Sequence, residues 1–233
     1  MLDFLEALHW GAIFQIIIID ILLGGDNAVV IALACRELPH KQRLRGILWG
    51  TAGAIALRIT LIAFALSLLD IPFLKAVGGL LLLWIGIKLL VPHDETHAIG
   101  ASSSLWKAIR TIIVADFAMS LDNIIAIAGA AQNTHADHQL LYVIFGLLVS
   151  VPIIVWGSTL VLKLIDRFAF IVTLGGALLG WIAGTMLASD AGIARWLGNP
   201  TPLAVKVAGV AGALLVVSAG KLLAARAHRM QGA

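Results

Sequence analysis

The chain has 233 residues, of which 61% are hydrophobic and 12% charged, against about 45–50% and about 25% in soluble domains. With a mean hydropathy of +1.01, that composition excludes an ordinary soluble fold and predicts an all-α polytopic membrane protein. The net charge of +3 is read as Lys and Arg of cytoplasmic loops, not as affinity for nucleic acid. The single cysteine, Cys35, excludes an intrachain disulfide framework.

A bilayer span takes about 20 apolar residues, and seven such segments are predicted, near 10–35, 45–69, 72–91, 108–131, 140–164, 168–189 and 202–223. The opening MLDFLEALHW has neither Lys, Arg nor a small-residue cleavage site, so it is expected to stay in the mature protein. The first span holds IIIIDILLGGDNAVVIALA at 16–34, with Asp20, Asp26 and Asn27. Six residues turn an ideal helix by about 240° and seven bring it back to within about 20°. Asp20 and Asn27 should therefore share a face that Asp26 does not. Gly24-Gly25 directly before Asp26 predicts a local unwinding that re-aims that carboxylate. Cys35 is expected to pack at the end of this span, and the loop after it concentrates Arg36, Lys41, Arg43 and Arg45.

The second span places Arg58 near its middle, where a lone cation is costly. It either pairs with an intramembrane aspartate, to be displaced when a metal arrives, or snorkels from a tilted helix. After the third span comes VPHDETHAIG, whose His93, Asp94, Glu95 and His97 are either a solvated connector or a recruiting site for metal. The fourth span, with IIVADFAMSLDNIIAIAGA at 112–130, repeats the acidic motif of the first. Asp116, Asp122 and Asn123 match Asp20, Asp26 and Asn27 at a constant offset of 96. Ser120-Leu121 stands where the first copy has glycines, which predicts a regular fourth helix facing a broken first one. Met119 is a plain packing residue or a soft ligand beside Asp122. On the far side of this span, His135, Asp137 and His138 are a solvated loop or an exit way station.

Trp10, Trp49, Trp106 and Trp196 fall near span ends as interfacial anchors, whereas Trp84 and Trp181, at matched repeat positions, are expected to pack. The glycines of LAVKVAGVAGALLVVSAGKLL in the last span suit close helix contact. They leave the oligomeric state open, a homodimer through them included.

The repeat extends beyond the acidic motif: Gly50 matches Gly146, Asp70 matches Asp166, and, after a one-residue slip, Gly78-Gly79 and Trp84 match Gly175-Gly176 and Trp181. The single membrane domain, 1–233, thus divides into repeat one at about 10–91, repeat two at about 108–189 and a seventh helix at about 202–223. Three helices per unit is an odd number, so the units enter the membrane in opposite directions, an inverted 3+3 repeat plus one C-terminal helix. Positive charge lies in 36–45, near 88–110, near 163–167 and in the tail, and is missing from QNTHADHQ at 132–139. The positive-inside rule then puts the N-terminus outside and the C-terminus in the cytoplasm.

Each carboxylate at the centre of a spanning helix costs about 2.5–3.5 kcal/mol, so matched aspartates in both repeats call for a shared cation. Carboxylate, amide and carbonyl oxygens are hard donors suited to Mg²⁺, Ca²⁺ or Mn²⁺. Proton relay is the rival role, and metal leaving as protons enter combines the two. No phosphate-binding loop, zinc-protease spacing or Ser/His pair stands out, so the chain is expected not to be an enzyme and to run on an ion gradient or the membrane potential. An intramembrane aspartyl protease would leave the paired asparagines unexplained.

GGDNAVVIALA paired with SLDNIIAIAGA in a chain of this size resembles the TerC family of integral membrane proteins, in its short YjbE-like branch, within a wider superfamily that includes the LysE-type exporters. The resemblance covers nearly the whole chain. It implies a Mn²⁺ exporter of the bacterial inner membrane whose metal-binding residues are Asp20, Asp26, Asn27, Asp116, Asp122 and Asn123. No resident cofactor is expected, and Mn²⁺ is substrate. The reading is therefore alternating access around a midplane site between the first and fourth helices. The alternatives are an ion or proton channel, and an exporter of amino acids or another organic solute.

Overall fold

The computed structural model describes residues 10–64, 71–91, 101–132 and 139–231. They form eight helices: α1 Trp10–Cys35, α2 His40–Ala63, α3 Leu74–Leu90, α4 Ala101–Gln132, α5 Gln139–Arg167, α6 Phe170–Ala188, α7 Ala191–Leu197 and α8 Pro202–Gln231. No strand occurs among the described residues. Four helices, α2, α5, α6 and α8, carry windows long and apolar enough to cross a membrane, judged on the described residues alone. Seven helices fall on the seven apolar segments of the sequence, and the short α7 was not expected.

Several helices outrun their apolar windows. α2 starts at His40, before the expected 45, α4 at Ala101, before 108, and α8 runs on to Gln231, past 223. Hydropathy marks where a chain tolerates lipid, whereas a helix ends where its backbone hydrogen bonds do.

The bundle is built from a few close pairings. α1 packs most extensively on α5, α2 on α4, α3 on α6, and α8 on α6, with α1 and α4 crossing each other between them. Val30, Ile31 and Leu33 of α1, Ile112 and Ala115 of α4, and Leu179 and Ala183 of α6 belong to one buried apolar core. The opposite faces carry exposed Leu, Val and Phe, as lipid-facing surfaces do.

Two expectations are corrected. α1 runs unbroken through Gly24-Gly25. In lipid every freed N–H and C=O needs a new partner, which outweighs the roughly 1 kcal/mol by which each glycine disfavours a helix. Neither Trp84 nor Trp181 packs inside: they are 57% and 38% exposed, with the Lys88 ammonium over the Trp84 ring at 4.8 Å. The glycines of the last span are used within the chain. A Cβ at Gly180 of α6 would lie 2.8 Å from Ala213 Cα of α8, and one at Gly184 would lie 3.0 Å from Gly209 Cα and nearer still to the Ala208 carbonyl. Close contact of small residues seats α8 on α6, as expected of these glycines.

Other expectations agree with the structure. Cys35 is buried at the last position of α1, and Trp49, Trp106 and Trp196 are exposed. Asp190 anchors the far end of α3: its Oδ1 accepts from the backbone N–H groups of Gly192 (2.7 Å) and Ile193 (3.0 Å), capping α7, and its Oδ2 accepts from Ala76 N–H (3.1 Å) in the first turn of α3. At the other side of the bundle, Arg43 donates to Asp166 Oδ2 (2.5 Å) at the end of α5 and to the carbonyls of Arg36 (2.7 Å) and Leu38 (3.1 Å). The loop between α1 and α2 is thereby tied to the second half of the chain.

Candidate cation site

The first and fourth helices meet at their aspartates, and Arg58 of α2 reaches between them. One guanidinium nitrogen pairs with Asp20 Oδ1 of α1 and the other with Asp116 Oδ1 of α4. The guanidinium Nε donates to Ser120 Oγ (3.1 Å), and Ser120, one turn beyond Asp116, donates in turn to Asp116 Oδ2 (3.1 Å). Ser150 of α5 supplies its hydroxyl to Asp20 Oδ2. Four helices therefore converge on a single hydrogen-bonded cluster. All of its members are buried, Arg58 at 3% and Asp20 at 2% exposure.

Of the two roles open to Arg58, the structure shows pairing and not snorkelling, and pairing with both aspartates instead of one. The planar fork of a guanidinium suits this, since it offers donors in two directions at fixed geometry. One guanidinium thus serves two carboxyl groups.

Next to the cluster, the motif is unsatisfied. Asn27 is 4% exposed, and neither its amide oxygen nor its nitrogen has a hydrogen-bond partner among the described residues. Asp26 is half-buried, with its Oδ1 enclosed and unpartnered. The face sharing expected of Asp20 and Asn27 holds because α1 stays helical: both are buried, and Asp26 turns partly away. Asn27 lines a small cavity of about 10 Å³ together with Val30, Ile31, Ile112, Asp116 and Met119. That is room for about one water-sized guest. Buried amides are almost always hydrogen-bonded, so an unpartnered asparagine beside a carboxylate marks a place built to receive something polar.

The structure thus brings Asp20 and Asp116 together through Arg58, and Asn27 and Asp116 together around the cavity. Asp122 and Asn123 lie on α4, but their side chains are outside the described residues. So are Asp70 and the loop residues His93, Asp94, Glu95, His97, His135, Asp137 and His138. Among the described residues no group of three or more His, Cys, Asp or Glu side chains is gathered as a metal site would require. Amide, carboxylate and thioether donors around the cavity are a different set. The sequence reading missed Ser150, which lies 130 positions from its partner Asp20. The only trace of it is a small hydroxyl in an otherwise apolar run.

Comparison with known proteins shows the family of the chain. Residues 5–229 match the family described as integral membrane protein TerC. The membrane protein YjbE of Bacillus subtilis is 48% identical over 179 residues, 77% of this chain and 80% of that protein. YceF of Bacillus subtilis is 28% identical over 138 residues, covering 55% of this chain and 54% of YceF. The inner membrane protein YoaE of Escherichia coli is 27% identical over 145 residues, 53% of this chain and 28% of that longer protein. No solved structure matches. The chain belongs to the TerC family of integral membrane proteins, with relatives in bacterial membranes.

Proposed function

We propose that the chain is a secondary transporter, not an enzyme, that exports a divalent metal cation across the bacterial inner membrane, with Mn²⁺ first among the candidates and Ca²⁺ or Mg²⁺ behind it. The observation that carries this reading is Asn27, buried with both polar atoms unpartnered and sharing a cavity with Asp116 of the facing helix. Asn27, Asp116 and the unpartnered oxygen of Asp26 are hard donors suited to such ions, and Met119 on the same cavity tilts the set toward Mn²⁺ over Mg²⁺. A cavity of this size and donor set suits an ion better than an amino acid, which favours metal over an organic solute. A kinship with LysE-type exporters would then lie in the scaffold and not in the cargo.

The full site takes Asp20, Asp26 and Asn27 from α1 and Asp116, Asp122 and Asn123 from α4, at the midplane of seven spans arranged as an inverted 3+3 repeat plus α8. Helix pairing supports that plan. Exchanging α1 with α4, α2 with α5 and α3 with α6 turns the α1–α5 contact into α4–α2, and maps the α1–α4 and α3–α6 contacts onto themselves. Alternating access would rock one repeat against the other, with counter-moving protons supplying the drive. The N-terminus would face outward and the C-terminus the cytoplasm.

Metal analysis of purified protein beside Mn²⁺ uptake into inverted vesicles tests the function. Asp26→Asn and Asp122→Asn should each abolish uptake while the protein remains inserted, because an amide keeps the shape and loses the charge. Full transport by both variants removes the site assignment, and non-saturating flux without a counter-ion makes the protein a channel. Met119→Leu should lower the preference for Mn²⁺ over Mg²⁺ several-fold, read by competition in the same vesicles. In a Cys35→Ser background, Gln42→Cys should be shielded from an impermeant thiol reagent in intact cells and Gln139→Cys labelled. Labelling of both from outside overturns the topology.

A further inference from the structure

We propose that Arg58 is a tethered cation that competes with the transported metal for Asp116, so that metal entry and guanidinium displacement are one event. The inference rests on the reading of the chain as a divalent-cation transporter and adds a coupling device to that site.

The geometry sets the two cations on one carboxylate. Asp116 is the one described carboxylate that both lines the cavity beside Asn27 and belongs to the Arg58 cluster. Both of its oxygens are committed, Oδ1 to Arg58 and Oδ2 to the Ser120 hydroxyl. A metal in the cavity that draws on Asp116 binds a carboxylate already held by both donors, and its charge repels the guanidinium on Oδ1 far more than the neutral Ser120 hydroxyl on Oδ2. Displacing Arg58 also frees Asp20, the other carboxylate it holds. The guanidinium is thus a built-in substitute for the cargo, supplied by α2 across the seam between α1 and α4.

The device is one-sided. At the constant offset of 96 the second repeat has Ile154, a buried apolar residue, where the first has Arg58. A single internal cation therefore serves carboxylates of both repeats. Where it sits biases which helices are drawn together, because only with Arg58 in place are α1, α2 and α4 linked through one group. A site whose competent form is a fraction of the population binds its ligand more weakly by that fraction. Arg58 accordingly weakens resting affinity and lets the metal leave again, since the guanidinium returns to the carboxylates on the other side of the cycle.

A permanent structural clamp would give the opposite result in one measurement. Mn²⁺ binding to detergent-purified full-length protein, by titration calorimetry, should tighten about tenfold in Arg58→Gln, while the maximal rate of Mn²⁺ uptake into inverted vesicles falls. Arg58→Lys, which keeps the charge, should hold affinity near that of the unaltered chain. Unchanged or weaker Mn²⁺ binding by Arg58→Gln overturns the proposal. Should that variant fail to insert, Arg58→Gln with Asp20→Asn is compared with Asp20→Asn alone. The same tightening is expected, and its absence is equally decisive against the proposal. If the unaltered chain binds no divalent cation at all, the transport reading itself falls. If it binds Mn²⁺ and the Arg58 variants do not differ from it, only the role of Arg58 falls.

Discussion

Two helix seams in this molecule are closed by opposite physics. Where α1, α2, α4 and α5 meet, contact is made by charge: Arg58 between Asp20 and Asp116, with Ser120 and Ser150 completing the network. Where α6 meets α8, contact is made by the absence of side chains, Gly180 and Gly184 lying directly against the backbone of Ala208, Gly209 and Gly212. The first seam carries directional bonds between charged and polar groups, the kind for which an ion can compete. The second carries close van der Waals contact that no ion can address. A transporter of this design would move at the first seam and hold still at the second, and the difference is open to measurement.

The largest effect is expected from Arg58→Met, which strands two buried carboxylates. Breaking a buried pair by removing one partner costs about 3–5 kcal/mol, read as loss of stability to denaturant in detergent. Replacing the whole triad, Asp20→Leu with Arg58→Met and Asp116→Leu, should recover most of that stability and abolish transport, because well-packed apolar groups often match a buried ion cluster in energy. Failure of the triple variant to regain stability would mean that the charges also hold the fold.

Ser150→Ala removes a hydroxyl bonded to the buried Asp20 carboxylate and should cost about 1.5–3 kcal/mol. Since its loss falls at the seam proposed to move, added Mn²⁺ should change the size of the deficit. Gly184→Ala forces a methyl against the α8 backbone and should cost about 1–3 kcal/mol, with a deficit that Mn²⁺ leaves alone. If both deficits respond to Mn²⁺ alike, the two seams are not mechanically distinct.

Much of this was readable in the sequence, and the gaps have identifiable causes. Apolar runs gave the positions of seven helices, because a chain this hydrophobic has few other ways to satisfy its backbone in lipid. The doubled Asp and Asn pattern located the seam between α1 and α4, and Arg58 stood out because a buried cation must find an anion. That it would hold two anions was not visible, since the pairing joins residues 38 and 58 positions away on different helices. Gly24-Gly25 misled because helix propensity is a weak prior where no water can take over a broken hydrogen bond. Trp84 misled for another reason. A tryptophan inside an apolar run can face lipid as well as the core, as both matched tryptophans do, and Lys88, one turn on, lies over the Trp84 ring. The short α7 has no apolar window at all, and exists because buried Asp190 caps it.

The α6 track of small residues has a bearing on how the chain is made. Gly180 and Gly184 are synthesised before Gly209 and Gly212, so the groove on α6 must enter the membrane ahead of the helix that fills it. α8 also meets α3, where a Cβ at Gly220 would lie 2.6 Å from Leu90 and one at Gly86 would lie 3.1 Å from Val216. Both surfaces that receive α8 are therefore in place when it emerges from the ribosome. Its arrival is a docking step onto a finished template, and a chain arrested before Thr201 would offer that same groove to a separately expressed Pro202–Gln231 helix.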